Sequence, residues 1–299
     1  MLKKFENLLD KLKNEKNKKV AVAMAQDADV LTALEKARTA GLADAVLVGS
    51  AKELRNIADR INLDLGAYEI IDIEDELECV RKAVELVKSG EAQVVMKGLC
   101  STSNFLKGIL DKENGLRTGK VLSHLAIFES KNYHKLLFLS DAAMNIAPNL
   151  NEKIAITENT IKATLALGYE NPKVAIISAV EKVNAEGMPS TADAAIISKM
   201  GDRKQIKGAI IDGPLALDNA LSARANEVKG LVSPVGGDAD ICIVPNIEAG
   251  NIFYKLLTTI GDAKVAGVIL GAAAPVVLTS RADSDESKFL SIVSALAIS

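Results

Sequence analysis

The chain has 299 residues and a formal net charge of −3, from 36 Lys plus Arg against 39 Asp plus Glu, a balance that excludes a nucleic-acid clamp held mainly by charge. Hydrophobic residues make up 48%, charged residues 25% and aromatics 3%, with no Trp. That composition excludes a disordered chain and a base-stacking platform, and it calls for a core of Ala, Val, Ile and Leu.

The first segment, MLKKFENLLDKLKNEKNKK, places Leu2, Phe5, Leu8, Leu9 and Leu12 on one helical face and Lys and acidic residues on the other, an amphipathic helix expected to pack on its own domain. It has no apolar stretch of the kind a signal peptide carries. From Lys18 onward, apolar runs alternate with segments of helical period. VAVAMA leads into DADVLTALEKARTAG, ADAVLVGS into AKELRNIADRI, and YEIIDI into EDELECVRKAVELVKSG. AQVVMKG, HLAIFES and KLLFLSD follow as strands, then KVAIISAV, GAIIDG, ADICIVP, AGVIL and PVVLTS. Strands that are apolar throughout are expected where helices cover both faces of a largely parallel sheet, so the fold class is α/β. The longest apolar run, Val265 to Leu278, contains Gly267, Gly271 and Pro275 and is shorter than the ~20 residues that span a bilayer. It reads as buried strands.

At roughly 100–200 residues per domain, the length suggests two domains. Breaks near Asn145 to Asn151 and near Ala272 to Pro275 divide the chain into a discontinuous first domain, 1–144 plus 276–299, and a second, 145–275. The last segment, Ser284 to Ile298, reads as a helix with Phe289, Ile292, Val293 and Leu296 on its apolar side. The three cysteines, Cys79, Cys100 and Cys242, are far apart and form no CxxC pair, so neither a disulfide framework nor a zinc knuckle is expected. A reducing cytoplasm fits best.

Several familiar motifs are missing. Gly115-Leu-Arg-Thr-Gly119-Lys120-Val121 has three residues between its glycines and Val where Ser or Thr should stand, so it fails as a P-loop. No GxGxxG follows the first strand, and there is no GxSxG or HExxH. The histidines, His124 and His134, read as structural, and no metal site is expected.

Three strand-to-helix turns carry polar groups instead. In PVVLTSRADSDE an apolar strand runs into Ser280 and Arg281 and then into an acidic helix start, where free N–H groups and a guanidinium make an anion site. Asp283 with Glu286 three residues on also fits a capping box. In MKGLCSTSN, Lys97 closes a strand and Ser101 and Thr102 open the helix that carries Lys107. Cys100, ahead of that helix, has no His beside it in sequence to activate it as a nucleophile. In VPNIEAGN, Asn246 and Asn251 flank the start of a helix with Tyr254 and Lys255, in a turn that Asn and Gly also shape.

Taken in order, VMKGLCSTSNFLK, GLRTGKVLSH, LFLSDAAMNIAP, NPKVAIISAVE, MPSTADAAIISKM, IKGAIIDGPLALDNAL, ADICIVPNIEAGNIFYK and APVVLTSRADSDE resemble the phosphate acetyl/butyryl transferase family, most closely its butyryl branch. The resemblance covers nearly the whole chain from about Lys18. It implies two α/β domains of the isocitrate/isopropylmalate dehydrogenase-like type, with the active site in the interdomain cleft. It also implies a homodimer or higher homo-oligomer. The implied reaction moves an acyl group, butyryl or a short branched one, between coenzyme A and inorganic phosphate by direct attack in a ternary complex. Both are substrates and no bound cofactor is implied. Ser280, Arg281 and Asp285 are then the catalytic candidates, and Lys97, Ser101, Thr102, Lys107, Arg117, Asn145, Asn246 and Asn251 the phosphate- and coenzyme-binding ones.

Two positions depart from the acetyl branch. Ser287 stands where that branch has an aspartate seven residues after the serine, leaving Asp283, Asp285 or Glu286 as substitutes, and Thr258 and Thr259 stand where it has an arginine. The alternatives are a phosphate acetyltransferase, a nicotinamide-dependent decarboxylating dehydrogenase on the same architecture, and a non-catalytic two-domain protein that binds small anions. The dehydrogenase requires a DxxxD metal cluster that is not evident beside the anion sites.

Overall fold

The computed structural model describes residues 2–13, 18–279 and 283–299. The chain opens with α1 (Phe5–Leu12), β1 (Lys19–Ala23), α2 (Ala28–Thr39), β2 (Asp44–Gly49), α3 (Ala51–Ile61), β3 (Glu69–Asp72), α4 (Glu76–Lys88), β4 (Val94–Lys97) and α5 (Thr102–Ile109). It continues through β5 (Ser123–Glu129), β6 (Leu137–Ser140), α6 (Leu150–Ala166), β7 (Lys173–Ile177), α7 (Pro189–Asp202) and β8 (Ile210–Leu215). Then come α8 (Leu217–Leu221), α9 (Ala223–Lys229), β9 (Ile241–Ile243), α10 (Ile247–Thr259), β10 (Lys264–Leu270), β11 (Val276–Val277) and α11 (Asp285–Ile298).

These elements form two compact units. One is Phe5–Lys120 with Ala266–Ser299, and the other is Met1–Lys4 with Val121–Val265. The crossings at 120/121 and 265/266 differ from the expected breaks at 144/145 and 275/276. β5 and β6 pair with each other and β6 with β9, whereas β10 pairs with β11 and β11 with β4.

In the first unit the strands lie in the order β3-β2-β1-β4-β11-β10. Neighbours are parallel except β10 and β11. Val20 to Ala23 and Val94 to Met96 are fully buried, as expected of strands covered on both faces. The amphipathic reading of the N-terminus holds: Phe5, Leu8 and Leu12 of α1 are buried, and α11 packs on α1 and α2. Successive strands step away from β1 through β2 to β3, while β4 lies on the other side of β1. The order therefore reverses between β1 and β4, the position in open α/β sheets where ligands bind beyond the carboxyl ends. Gly98 makes that reversal tight. A Cβ there would sit 2.1 Å from the Met24 carbonyl oxygen, and Gly98 and Leu99 N–H donate to the Ala23 and Met24 carbonyls at 2.9 and 2.7 Å.

In the second unit the order is β5-β6-β9-β7-β8, with β5 antiparallel to β6 and the others parallel. Phe128, Leu139, Ala175, Cys242 and Val265 lie in one apolar cluster on which Tyr254 and Leu257 of α10 pack. The amino ends of β6, β7 and β9 are joined by charge. Lys135, fully buried, donates to the Asp238 carbonyl at 2.8 Å and lies 2.7 Å from Asp240 Oδ1, a close ion pair not aligned as a hydrogen bond. Lys173 donates to Asp238 Oδ2 at 2.8 Å, and its N–H donates to Asp240 Oδ2 at 2.8 Å. Here His134, 2.9 Å from Asp238 Oδ1, has its structural role.

Among the described residues, no helix is long and apolar enough to cross a membrane, and no group of three His, Cys, Asp or Glu side chains is placed to hold a metal ion.

Removing Lys135 leaves Asp240 buried beside a gap. Lys135→Ala is therefore expected to destabilise the protein by about 3–5 kcal/mol, read as a lowered urea midpoint. Burial raises the Asp238 carboxyl, but Lys173, Lys135 and His134 outweigh it and hold that carboxyl well below the usual range. Its contribution to stability is then present above pH of about 4 and lost as the pH falls below that value. Asp238→Asn is expected to flatten the acid limb of the unfolding profile and leave its neutral plateau lower.

Candidate active site

The carboxyl ends of β1, β4 and β11 bring one group of polar residues together. Lys97 is the last residue of β4, and only 6% of it is exposed. Its ammonium donates to the Gly98 carbonyl at 3.1 Å and lies in the field of Glu76. Ser101 caps α5, its hydroxyl accepting from Asn104 N–H at 3.2 Å, as the hydroxyl-rich sequence suggests. Thr102 and Ser103 follow with exposed side chains. Lys107 is exposed in the last turn of α5, four residues from Ser103 and so on the same helix face. Cys100 is buried, and desolvation pushes its thiol up to about 11. A thiol in that state is a poor nucleophile at neutral pH.

Glu76 completes this group. The first residue of α4, it accepts from Ser101 N–H at 2.8 Å and from the Asn104 amide at 3.0 Å. The Ser101 N–H, foremost, holds its carboxyl below the usual range. Arg117 lies elsewhere. Its loop is tied to the turn between β10 and β11 by Thr118 Oγ1 donating to Gly271 O and by Ala273 N–H donating to Leu116 O at 2.8 Å. That turn leads into β11, which runs parallel to β4, so the loop stands toward the amino end of β4, whereas Lys97 closes its carboxyl end.

Ser280 and Arg281 lie outside the described residues. Thr279, just before them, is buried at the same carboxyl end as Gly98. Asp285 is the first residue of α11 and is ion-paired with Lys36 of α2, whose ammonium holds its carboxyl below the usual range and makes it a weaker proton acceptor. The capping box expected from Asp283 and Glu286 is not formed. Ser284 is the cap, accepting from Ser287 N–H at 3.2 Å, because its backbone is extended while Asp285 is already helical.

A second group gathers in the other unit, at the carboxyl ends of β6 and β9. Asn246 caps α10, accepting from Ala249 N–H at 3.0 Å. The Asn251 amide donates to the Ala142 carbonyl at 3.4 Å, and the Asn145 amide to the Leu122 carbonyl at 2.8 Å. Asn145 also meets Asp141, a residue that carries little signal in the sequence. Asp141 is 2% exposed; it accepts from Ala143 and Met144 N–H, each at 2.9 Å, and from the Asn145 amide. Gly250 permits this closeness, since a Cβ there would lie 2.5 Å from the Asp141 carbonyl oxygen. The buried His124 ring lies 6.2 Å from that of Tyr254, which meets Phe128 edge-on at 5.5 Å. The one local signal of Asp141 was the Ser-Asp pair that ends the apolar LFLSD run.

Comparison with known proteins assigns these turns to a family. The family model described as phosphate acetyl/butaryl transferase matches residues 4–80 and 76–297. The chain belongs to this family. It is 52% identical over 295 residues to a phosphate butyryltransferase of Clostridium acetobutylicum, covering 99% of this chain and 98% of the relative. It is 44% identical over 288 residues to a phosphate acetyltransferase of Thermotoga maritima, covering 96% and 97%. Among solved structures, a branched-chain phosphotransacylase from Enterococcus faecalis superposes with a TM-score of 0.85 at 36% identity, covering 94% of this chain and 98% of that one. This phosphotransacylase fold therefore places polar turns at the carboxyl ends of strands in both units.

Asp141→Ala removes the acceptor of two N–H groups and of the Asn145 amide. It is expected to cost about 1–3 kcal/mol of stability and to release the Asn145 side chain. Thermal unfolding checks the first effect, and the Asn145 amide resonance, shifted toward its solvent-exposed position, checks the second.

Proposed function

We propose that the protein is a phosphate acyltransferase that converts butyryl-coenzyme A, or a short branched acyl-coenzyme A, and inorganic phosphate to acyl phosphate and coenzyme A, reversibly. The observation that carries this reading is 52% identity along the length of a phosphate butyryltransferase. In the direct reaction, a phosphate oxygen forms a bond to the thioester carbon, the C–S bond breaks, and the coenzyme leaves as a thiolate that takes up a proton. No enzyme nucleophile is needed, which agrees with the raised, buried Cys100 thiol.

Each group has a task in this scheme. Arg281 binds phosphate as a planar bidentate donor, and Ser280 donates to the oxyanion of the tetrahedral intermediate. The first turn of α5, with the Thr102 and Ser103 N–H groups and the Lys107 ammonium on the same helix, supports an anionic group. Asn145, Asn246 and Asn251 offer amides to the coenzyme. Asp285, held by Lys36, contributes charge balance rather than proton transfer.

The first test is thiol release by the purified protein from acetyl-, butyryl-, isobutyryl- and isovaleryl-coenzyme A, with and without phosphate. Phosphate-dependent release that favours the four- and five-carbon thioesters is expected, from a protein that sediments as a homodimer or larger. Dominant acetyl transfer instead makes it an acetyltransferase, and no release leaves an anion-binding protein. Within the active protein, Arg281→Ala is expected to raise the KM for phosphate strongly. Ser280→Ala is expected to lower kcat by about 10²–10³; an unchanged kcat removes the hydroxyl from the mechanism.

A further inference from the structure

The α5 N-terminus already holds a carboxylate of the protein itself. Glu76 and Asn104 face each other, and four residues further along each helix Val80 meets Gly108, where an added Cβ would lie 2.3 Å from Val80 Cγ1. The same four-residue step on both helices fixes the register of α4 against α5. The first contact is polar and charged, the second apolar and too close for any side chain at 108. Together they make the turn 98–104 a fixed part of the unit rather than a loop free to adapt.

The charge has its own consequence. Of the first N–H groups of α5, that of Asn104 goes to the Ser101 hydroxyl, and that of Ser101, just ahead of the helix, goes to Glu76. The N–H groups of the exposed Thr102 and Ser103 remain for solvent or ligand. An anion bound there meets the positive end of the helix with the Glu76 carboxylate one residue away. The same carboxylate opposes the positive field of the buried Lys97. Its net effect is to hold the turn in shape while weakening its attraction for a dianion.

We propose that Glu76 is a positioning residue that holds the β4–α5 turn in its anion-binding shape through Ser101 and Asn104, and that its negative charge limits the affinity of that turn for phosphate. This role rests on the phosphate acyltransferase reading and deepens it. The benefit is in turnover: substrate phosphate and the acyl phosphate product present the same anionic group, so a site that binds one too tightly releases the other slowly.

Glu76→Gln keeps an oxygen that accepts from Ser101 and Asn104 but removes the charge, whereas Glu76→Ala removes both. The experiment measures the KM for phosphate and for the acyl thioester in the wild type and both variants, with titration calorimetry of inorganic phosphate against the full chain. Glu76→Gln is expected to lower the phosphate KM and Kd about two- to fivefold, the range for one charge at a helix terminus, with the thioester KM unchanged. Glu76→Ala is expected to raise the phosphate KM above that of the wild type. Equal phosphate KM values in all three active proteins, or a thioester KM in the Gln variant that moves with the phosphate KM, overturn this role alone. No phosphate-dependent release from the wild type overturns the reaction and this role together. Should Glu76→Ala fail to fold, the ratio of the two KM values in the Gln variant decides by itself.

Discussion

A helix that follows a parallel strand begins with backbone N–H groups that no later turn can satisfy, and the topology collects those groups at one edge of each unit. The rest of this structure is arranged around that constraint. The chain meets part of the need from its own side chains: Asp27 caps α2, Ser101 with Glu76 opens α5, Asn149 and Glu152 form a reciprocal box at α6, and Asn246 caps α10. The turn after β6, which no helix follows at once, is organised by Asp141 in the same manner. The capacity to meet an anion lies with the N–H groups and cations these caps do not use, so the caps decide where it lies as much as the helices do.

The opposite edge of the second unit has a different character. Lys135, Lys173, Asp238 and Asp240 interlock where β6, β7 and β9 begin, with Lys135 and Asp240 almost wholly removed from water. Buried ion pairs are costly to form and costlier to break, so such a network fixes strand register more than it adds net stability. A near-neutral chain thus conceals a division of labour. Compensated charge anchors the amino ends of the strands, and lightly compensated polar turns stand at their carboxyl ends.

What the sequence revealed follows from the range of each interaction. Strands legible as apolar runs appear where expected, and two-sided burial marks the runs of β1, β4 and β6 most fully. Ser101 and Asn246 were legible because a cap acts within three residues of itself. Glu76 was not, since its partner stands 25 residues away and its setting, EDELE, reads as an ordinary acidic helix start. Asp141 had only the apolar run before it as a signal, since the small residues after it say little about burial. Arg117, close in sequence to Lys107, is carried by α5 to the loop that Leu116 and Thr118 tie to the turn between β10 and β11. In α11 the cap differed by one residue, because Asp283 and Ser284 are equally good caps in composition and only the backbone at Ser284 separates them.

The acetyl branch has an acid at position 287, the third residue of a helix; here Ser287 N–H donates to Ser284, and the two hydroxyls lie 3.3 Å apart. Of the neighbouring acids, Asp285 is bound to Lys36 and its acidity is increased by that contact, so it does not replace a base. In the direction of acyl phosphate formation this matters little. The leaving group is a thiolate whose conjugate acid, by analogy with cysteine, has a pKa of about 8.5, and it departs without a proton acceptor on the enzyme. The reverse reaction must first deprotonate that thiol. The thioester-forming direction therefore needs a proton acceptor that the other does not, and with Ser at 287 and Asp285 held by Lys36 the acids left for it are Asp283 and Glu286.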